Sequence, residues 1–99
     1  MTAIPVDAYV LETLMPDLVG HDRSPSAFLV YLHLWYRTAG AKERRCAASL
    51  ARLAEDTGLS KSAVQAALRL LKRRKLVKAE RASLTAVPVY EVLRPWVRK

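Results

Sequence analysis

The stretch that decides the fold is residues 49–77, which read SLARLAEDTGLSKSAVQAALRLLKRRKLV. Ser49 and Ser60 each stand where a helix N-cap is expected, because a serine hydroxyl accepts a hydrogen bond from an amide of the first helical turn. Gly58 lies between them, and glycine tolerates the left-handed backbone of a tight turn. The stretch therefore predicts two helices around a turn, over 50–57 and about 60–74.

The second of these helices has two faces of opposite character. Apolar residues recur every three or four positions, which is the spacing of a stripe that packs against other elements. This stripe consists of Val64, Ala67, Leu68 and Leu71. The opposite face carries Lys61, Ser62, Gln65 and Arg69, with Ala66 beside them. Arg and Gln are the residue types that bind guanine and adenine edges through paired hydrogen bonds, so this face suits a nucleic-acid groove.

These coupled features make the stretch resemble the winged helix-turn-helix of bacterial regulators and of plasmid or phage replication proteins. Ala54 is small where the two helices cross, Gly58 forms the turn, and Leu76 with Val77 opens a hairpin at the position of the wing. The resemblance covers about residues 24–93. It implies a mainly α fold with a small β-hairpin, a winged helix-turn-helix with a three-helix core and an additional N-terminal helix, that binds double-stranded DNA.

The sequence departs from the family at Lys75, where a glycine usually follows the second helix. We expect this lysine to adopt the left-handed conformation, at a cost of order 1 kcal/mol.

The resemblance also implies which residues contact DNA. They lie at the N-terminus of the second helix, along its free face, near its C-terminus and on the wing: Ser60, Lys61, Ser62, Gln65, Ala66, Arg69, Lys72, Arg73, Arg81 and Ser83. A structural explanation stands beside the functional one for Lys72 and Arg73, because cations near a helix C-terminus interact favourably with the helix dipole. Arg44 and Arg45 are further candidates for a flanking phosphate.

The sequence outside this stretch indicates one helix before residue 20, another after it, and a small β-sheet. The first helix covers 7–15, with Asp7 as its N-cap and Pro16 at its end, and Ser24 with Pro25 begins the second, which runs to about Thr38. Strands are predicted at 45–47, 76–81 and 87–93, the last at an edge because Pro88 has no amide hydrogen. The whole chain is read as one domain, in which 1–23 precede the winged helix core of 24–93 and 94–99 form a basic tail.

The predicted helix that ends near Thr38 is apolar nearly all round. Its core stripe is predicted to contain Phe28, Leu29, Leu32, Trp35 and Tyr36. Val30 and Leu34 then form a second apolar face, which needs the N-terminal helix or a second subunit to cover it. The sequence therefore predicts that the protein forms a homodimer through its N-terminal helices, unless residues 7–15 of the same chain cover that face.

Charge and composition restrict the function further. Residues 1–40 carry four acidic and two basic side chains, whereas residues 41–99 carry five acidic and fifteen basic ones, which suggests one surface that faces a polyanion. One cysteine and two separated histidines are too few for a zinc site of the usual spacing, and no cofactor motif or catalytic constellation emerges. No signal peptide or membrane span is predicted. We expect a cytoplasmic, nucleoid-associated protein that is not an enzyme.

Three functions remain open on the sequence. The first is a small sequence-specific regulator of transcription, and the second is the DNA-binding domain of a plasmid or phage replication initiator. The third is a winged helix used only for protein–protein contact. Such a domain should lack an exposed basic stripe on its third helix, and this sequence has one.

Overall fold

A computed structural model describes residues 3–39 and 44–97, so residues 98–99 of the predicted basic tail lie outside the described part. The helices are α1 (Pro25–Thr38), α2 (Leu50–Thr57) and α3 (Lys61–Arg73), and the strands are β1 (Arg45–Ala47), β2 (Val77–Glu80) and β3 (Val89–Val92). Two π-helical stretches, Val10–Leu14 and Pro16–His21, precede α1 and are called the N-terminal segment below. This arrangement confirms the predicted class, a mainly α winged helix-turn-helix with a small β-sheet.

Serine caps start each of the three described α-helices, as predicted. The hydroxyl oxygens of Ser24, Ser49 and Ser60 accept hydrogen bonds from the amides three residues later, at 3.2, 3.1 and 3.1 Å. Pro25 occupies the first helical position of α1, where a missing amide hydrogen breaks no helical bond. Gly58 ends α2 with φ of 78°, which is the left-handed turn that its glycine predicts.

Helix α1 is the central element of the core. It packs against α3, against β3 and against the N-terminal segment. Helix α2 and strand β1 contact it as well, so neighbouring elements surround most of α1, and the predicted division of its faces is wrong. Val30 and Leu34 are fully buried, whereas Leu29 and Tyr36 are 45% and 58% exposed. The apolar periodicity misled because a helix that is apolar nearly all round gives no signal of which side is left uncovered.

The N-terminal segment also differs from the prediction, since it continues past Pro16 to His21. Pro16 is the first residue of the second π-helical stretch, and its fixed φ is compatible with the start of a helical turn. Asp7 does not cap the segment with its side chain. Its carboxylate instead accepts a hydrogen bond from the indole N–H of Trp96 at 3.1 Å.

The sheet is antiparallel with the order β1-β3-β2. The predicted edge position of β3 is therefore wrong, because β3 is the central strand. Pro88 lies immediately before the strand, where its ring interrupts no ladder, and its carbonyl accepts a hydrogen bond from the Ala48 amide at 3.1 Å. Both strands of the wing hairpin are shorter than predicted.

Lys75 follows α3 in the left-handed conformation, with φ of 59°, as the sequence predicts. Two backbone hydrogen bonds close the helix end: the Lys75 amide donates to the Lys72 carbonyl at 3.1 Å, and the Leu76 amide donates to the Leu71 carbonyl at 2.9 Å. This pair of bonds is the Schellman motif, whose left-handed position favours glycine. The chain direction into the wing therefore depends on a strained lysine backbone.

Lys75→Gly is expected to raise the free energy of unfolding by up to about 1 kcal/mol, because glycine adopts positive φ without the steric cost of a Cβ. Urea denaturation of the two proteins measures the difference. Lys75→Ala is the matched control, since it removes the same charge and keeps the Cβ. Equal stability of the glycine and alanine variants would show that the turn is not strained.

Candidate nucleic-acid interface

The predicted DNA-facing residues of α3 lie together on its solvent side. Val64, Ala67 and Leu71 are fully buried and Leu68 nearly so, which leaves the opposite face uncovered. That face and both ends of the helix expose Ser60, Lys61, Ser62, Gln65, Ala66, Arg69, Lys72 and Arg73. The structure thus brings eight of the ten predicted residues onto one exposed surface. DNA contact by these residues stays a prediction.

The serine hydroxyls at the start of α3 already have local partners. Ser60 Oγ accepts the capping hydrogen bond from the Ala63 amide, and it lies 3.2 Å from Ser62 Oγ. Amides of the first helical turn lack helical partners, and the helix dipole adds partial positive charge there. The N-terminus of α3 is therefore electrostatically suited to a phosphate beside the groove.

A pocket of about 200 Å³ lies between α3 and the wing hairpin, and we call it the α3–wing pocket. Its lining residues come from α2, α3, β3 and the connection after β2: Leu50, Gln65, Leu68, Arg69, Lys72, Arg81 and Tyr90. Strand alternation explains the position of Arg81. Residues 77, 79 and 81 share one face, and Ala79 pairs with Tyr90 on β3. Arg81 therefore extends the face of β2 that begins with buried Val77, beyond the edge of the core.

The wing tip carries the last predicted contact, Ser83. This residue is exposed, and its hydroxyl lies 3.4 Å from that of Thr85. The guanidinium of Arg81 donates a hydrogen bond of 3.4 Å to the carbonyl of Leu84, whose side chain is 92% exposed. Arg81 thus connects the α3–wing pocket to the tip.

Several arginines of the basic half have partners within the chain. The guanidinium of Arg74 donates hydrogen bonds to the carboxylates of Asp17 and Asp22, which joins the end of α3 to the N-terminal segment. The bond to Asp17 is the main cause that raises the pKa of Arg74 above its ordinary value. No signal in the sequence links residues so far apart, and this contact was not predicted.

The two arginines proposed for a flanking phosphate are also engaged. Arg44 lies with its guanidinium carbon 4.6 Å from the centroid of the Trp35 ring, and Arg45 forms a 2.9 Å ion pair with Glu80. Lys72, Arg73 and Arg81 are therefore better placed to bind phosphates than these residues.

A family profile described as "Helix-turn-helix domain" matches residues 24–77, which is more than half of the chain. This chain belongs to the helix-turn-helix family. The match begins at the N-cap of α1, includes α2, the Gly58 turn and α3, and ends at the first residue of β2. The protein is thus a helix-turn-helix DNA-binding domain, and α3 is the second helix of its motif. Comparison with curated proteins and with solved structures gives no match.

One group of side chains in this helix-turn-helix protein has the composition of a metal site. Ligand atoms of Asp17, His21 and Asp22 lie within 4.8 Å of one another. Arg74 binds both carboxylates, so a cation already occupies the position between them. The hydrogen bond from His21, together with Arg74, lowers the pKa of Asp22, which keeps this carboxylate charged for the ion pair. The cluster is therefore an ion-pair site.

Within residues 3–39 and 44–97, no helix has both the length and the apolar character needed to cross a bilayer.

Proposed function

We propose that this helix-turn-helix protein binds double-stranded DNA in a sequence-specific manner and acts as a small bacterial transcriptional regulator. The observation that carries the proposal is the exposed face of α3, on which Lys61, Gln65 and Arg69 recur at intervals of four residues. Residues at this spacing lie on one side of a helix, so their side chains can enter one major groove. Gln65 and Arg69 are suited to adenine and guanine edges.

Phosphate contacts on both sides of the groove would hold α3 in register. Lys72 and Arg73 extend the exposed surface along the last turn of α3, and Arg81 with Ser83 adds the wing. Phosphate contacts supply affinity that does not depend on sequence, whereas base contacts supply specificity. We further propose that the protein acts as a non-catalytic binding module in the cytoplasm, at the nucleoid.

Selection of binding sites from a random duplex pool, followed by a salt titration on the selected site, tests the proposal. Lys72, Arg73 and Arg81, with one or two further cations, would neutralise four or five phosphates. We expect log affinity to fall with log salt with a slope of about −3 to −5 per chain. Arg73→Ala should flatten the slope by about one unit, whereas Gln65→Ala should leave it unchanged because it removes no charge. Absence of duplex binding at low salt would contradict the proposal and favour a protein partner.

Self-association is a second part of the proposal, and the structure changes the surface that supports it. Leu29 and Tyr36 are exposed on α1, and with Leu32 they line an open groove of about 310 Å³ that reaches Thr57 of α2. Contact between two copies of this face would remove exposed apolar surface from water.

Sedimentation at micromolar concentration is therefore expected to give a mass above that of the 11.1 kDa chain. Leu29→Ser should shift the protein toward monomer, because it removes an apolar contact from the groove. Leu84→Ser is the matched control, since it makes the same change on the wing at an even more exposed position. Only monomer, both with and without DNA, would exclude the dimer.

A further inference from the structure

We infer that the α3–wing pocket binds one phosphate group of the DNA backbone, which is shared between α3 and the wing. The inference rests on the proposed DNA binding and adds a defined anion site to it. It also gives Tyr90, which the sequence did not single out, a role in contacting DNA.

The chemistry of the lining is that of an anion site. Arg69 and Lys72 come from α3 and Arg81 comes from the connection after β2, so cations from two separate elements converge on one pocket. The described lining residues include no carboxylate. Three like charges around one pocket repel each other, and a bound anion would remove that repulsion. Arg69 has five N–H donors, so it can give one to a phosphate and still face the groove.

Two neutral donors complete the set. Gln65 offers its amide and Tyr90 its phenol. Burial raises the pKa of Tyr90, although the nearby charge of Arg81 opposes the increase. The phenol is therefore protonated at neutral pH and can donate a hydrogen bond to a phosphate oxygen.

The acidic residues of the wing lie on the opposite face of the sheet. Side chains alternate along a strand, so Glu80 points away from the face shared by Ala79 and Arg81. Glu80 forms its ion pair with Arg45 of β1. Glu91 alternates with Tyr90 in the same way and pairs in register with Lys78. The strand pattern thus separates the carboxylates from the cations that line the pocket.

The size of the pocket favours a single small anion. A volume of about 200 Å³ corresponds to roughly seven water molecules at about 30 Å³ each. A phosphate group with part of its hydration fits such a space, whereas a base pair does not. A phosphate held from both sides would fix the wing relative to α3 on the duplex.

A set of duplexes tests this inference, each carrying the selected site and one neutral methylphosphonate at a different backbone position. For the wild type we expect one position at which the modification lowers affinity about ten-fold or more, because it removes the charge of a bound phosphate. Lys72→Gln and Arg81→Gln should each weaken binding to the unmodified duplex. The methylphosphonate at the critical position should lower the affinity of both variants little further, because the modification and the substitution remove the same interaction.

Tyr90→Phe removes a single hydrogen-bond donor and keeps the ring in the core. It should lower the affinity for the unmodified duplex less than the charge substitutions do, and its effect should likewise not add to that of the critical methylphosphonate. Lys78→Gln is the matched control: it removes an equal charge from the outer face of β2, and its loss should add to that of the critical methylphosphonate. If the protein binds the duplex, but the losses caused by Lys72→Gln and Arg81→Gln add to that of the methylphosphonate at every position, the shared phosphate is wrong. The proposed DNA binding would still stand. Absence of duplex binding would overturn the proposed function and this inference with it.

Discussion

Replacement of Trp35 by alanine is expected to lower the free energy of unfolding by about 3–5 kcal/mol. The side chain is only 1% exposed on α1. Its indole N–H donates a 2.9 Å hydrogen bond to the Pro5 carbonyl, and its ring stacks on that of Trp96 with centroids 6.4 Å apart. The substitution would leave a large cavity and an unsatisfied carbonyl where α1 contacts the chain before its N-terminal segment.

Trp96 extends the effect of this substitution to the other end of the fold. Its ring stacks on Tyr9 at 4.6 Å, so Trp35, Trp96 and Tyr9 form one aromatic column. The column joins α1, the residues after β3 and the residues that lead into the N-terminal segment. Loss of the Trp35 ring removes the contact of the column with α1, so Trp96 and the residues stacked on it should loosen as well. The burial of Trp35 and the contacts of Trp96 with two aromatic rings indicate that both tryptophans anchor the fold.

Urea denaturation followed by circular dichroism measures the loss. Tyr36→Ala, measured at a concentration at which the protein is monomeric, is the matched control, because it removes an aromatic ring from the next position of the same helix, where the side chain is 58% exposed. Its effect should stay within about 0.5 kcal/mol. Trp35→Phe provides a milder variant that keeps apolar volume and loses the hydrogen bond, in case the alanine variant does not fold. If both alanine substitutions lowered the free energy of unfolding equally, Trp35 would not lie in the core as described.

The second large effect is expected on the affinity for DNA. Arg69→Ala should weaken binding to the preferred site by about 1–3 kcal/mol, roughly five- to 150-fold, and should relax base choice at one position of the site. Gln65→Ala should do the same at a neighbouring position. Both side chains are exposed on α3, so truncation to alanine would remove the proposed base contact without disturbing the core.

Site selection with each variant and affinity measurements on the wild-type site give the two readouts. Arg52→Ala is the matched control: it removes the same type of side chain from α2, where Arg52 pairs with Asp56 at 3.0 Å. That variant should select the wild-type sequence. If Gln65→Ala and Arg69→Ala also select the wild-type sequence with unchanged affinity, α3 is not the helix that lies in the groove.

The motif could be predicted from the sequence because its signals are local. The serine caps, Gly58 and the two faces of α3 each depend on residues only a few positions apart. The structure shows all of these features at the predicted positions. The left-handed conformation of Lys75 followed from the same local reasoning.

The features that were missed depend on partners distant in the chain. Whether β3 is central or at an edge depends on β1, which pairs with it from the other side of the helix-turn-helix motif. The ion pairs of Arg74 reach back to Asp17 and Asp22, and no periodicity records such contacts. The exposed side of α1 depends on which elements pack against it, which the α1 sequence alone does not specify.

The strand order β1-β3-β2 also has a consequence for synthesis on the ribosome. Both outer strands hydrogen-bond to β3, which is the last strand to be translated. Until residues 89–92 emerge, β1 and β2 have no ladder partner, and the side of α1 that packs on β3 stays in contact with water. The α2–α3 pair can form earlier because its contacts are close in sequence, whereas β1–β3 pairing must close a loop of more than forty residues. The nascent chain therefore carries the second helix of its motif before it has a complete core.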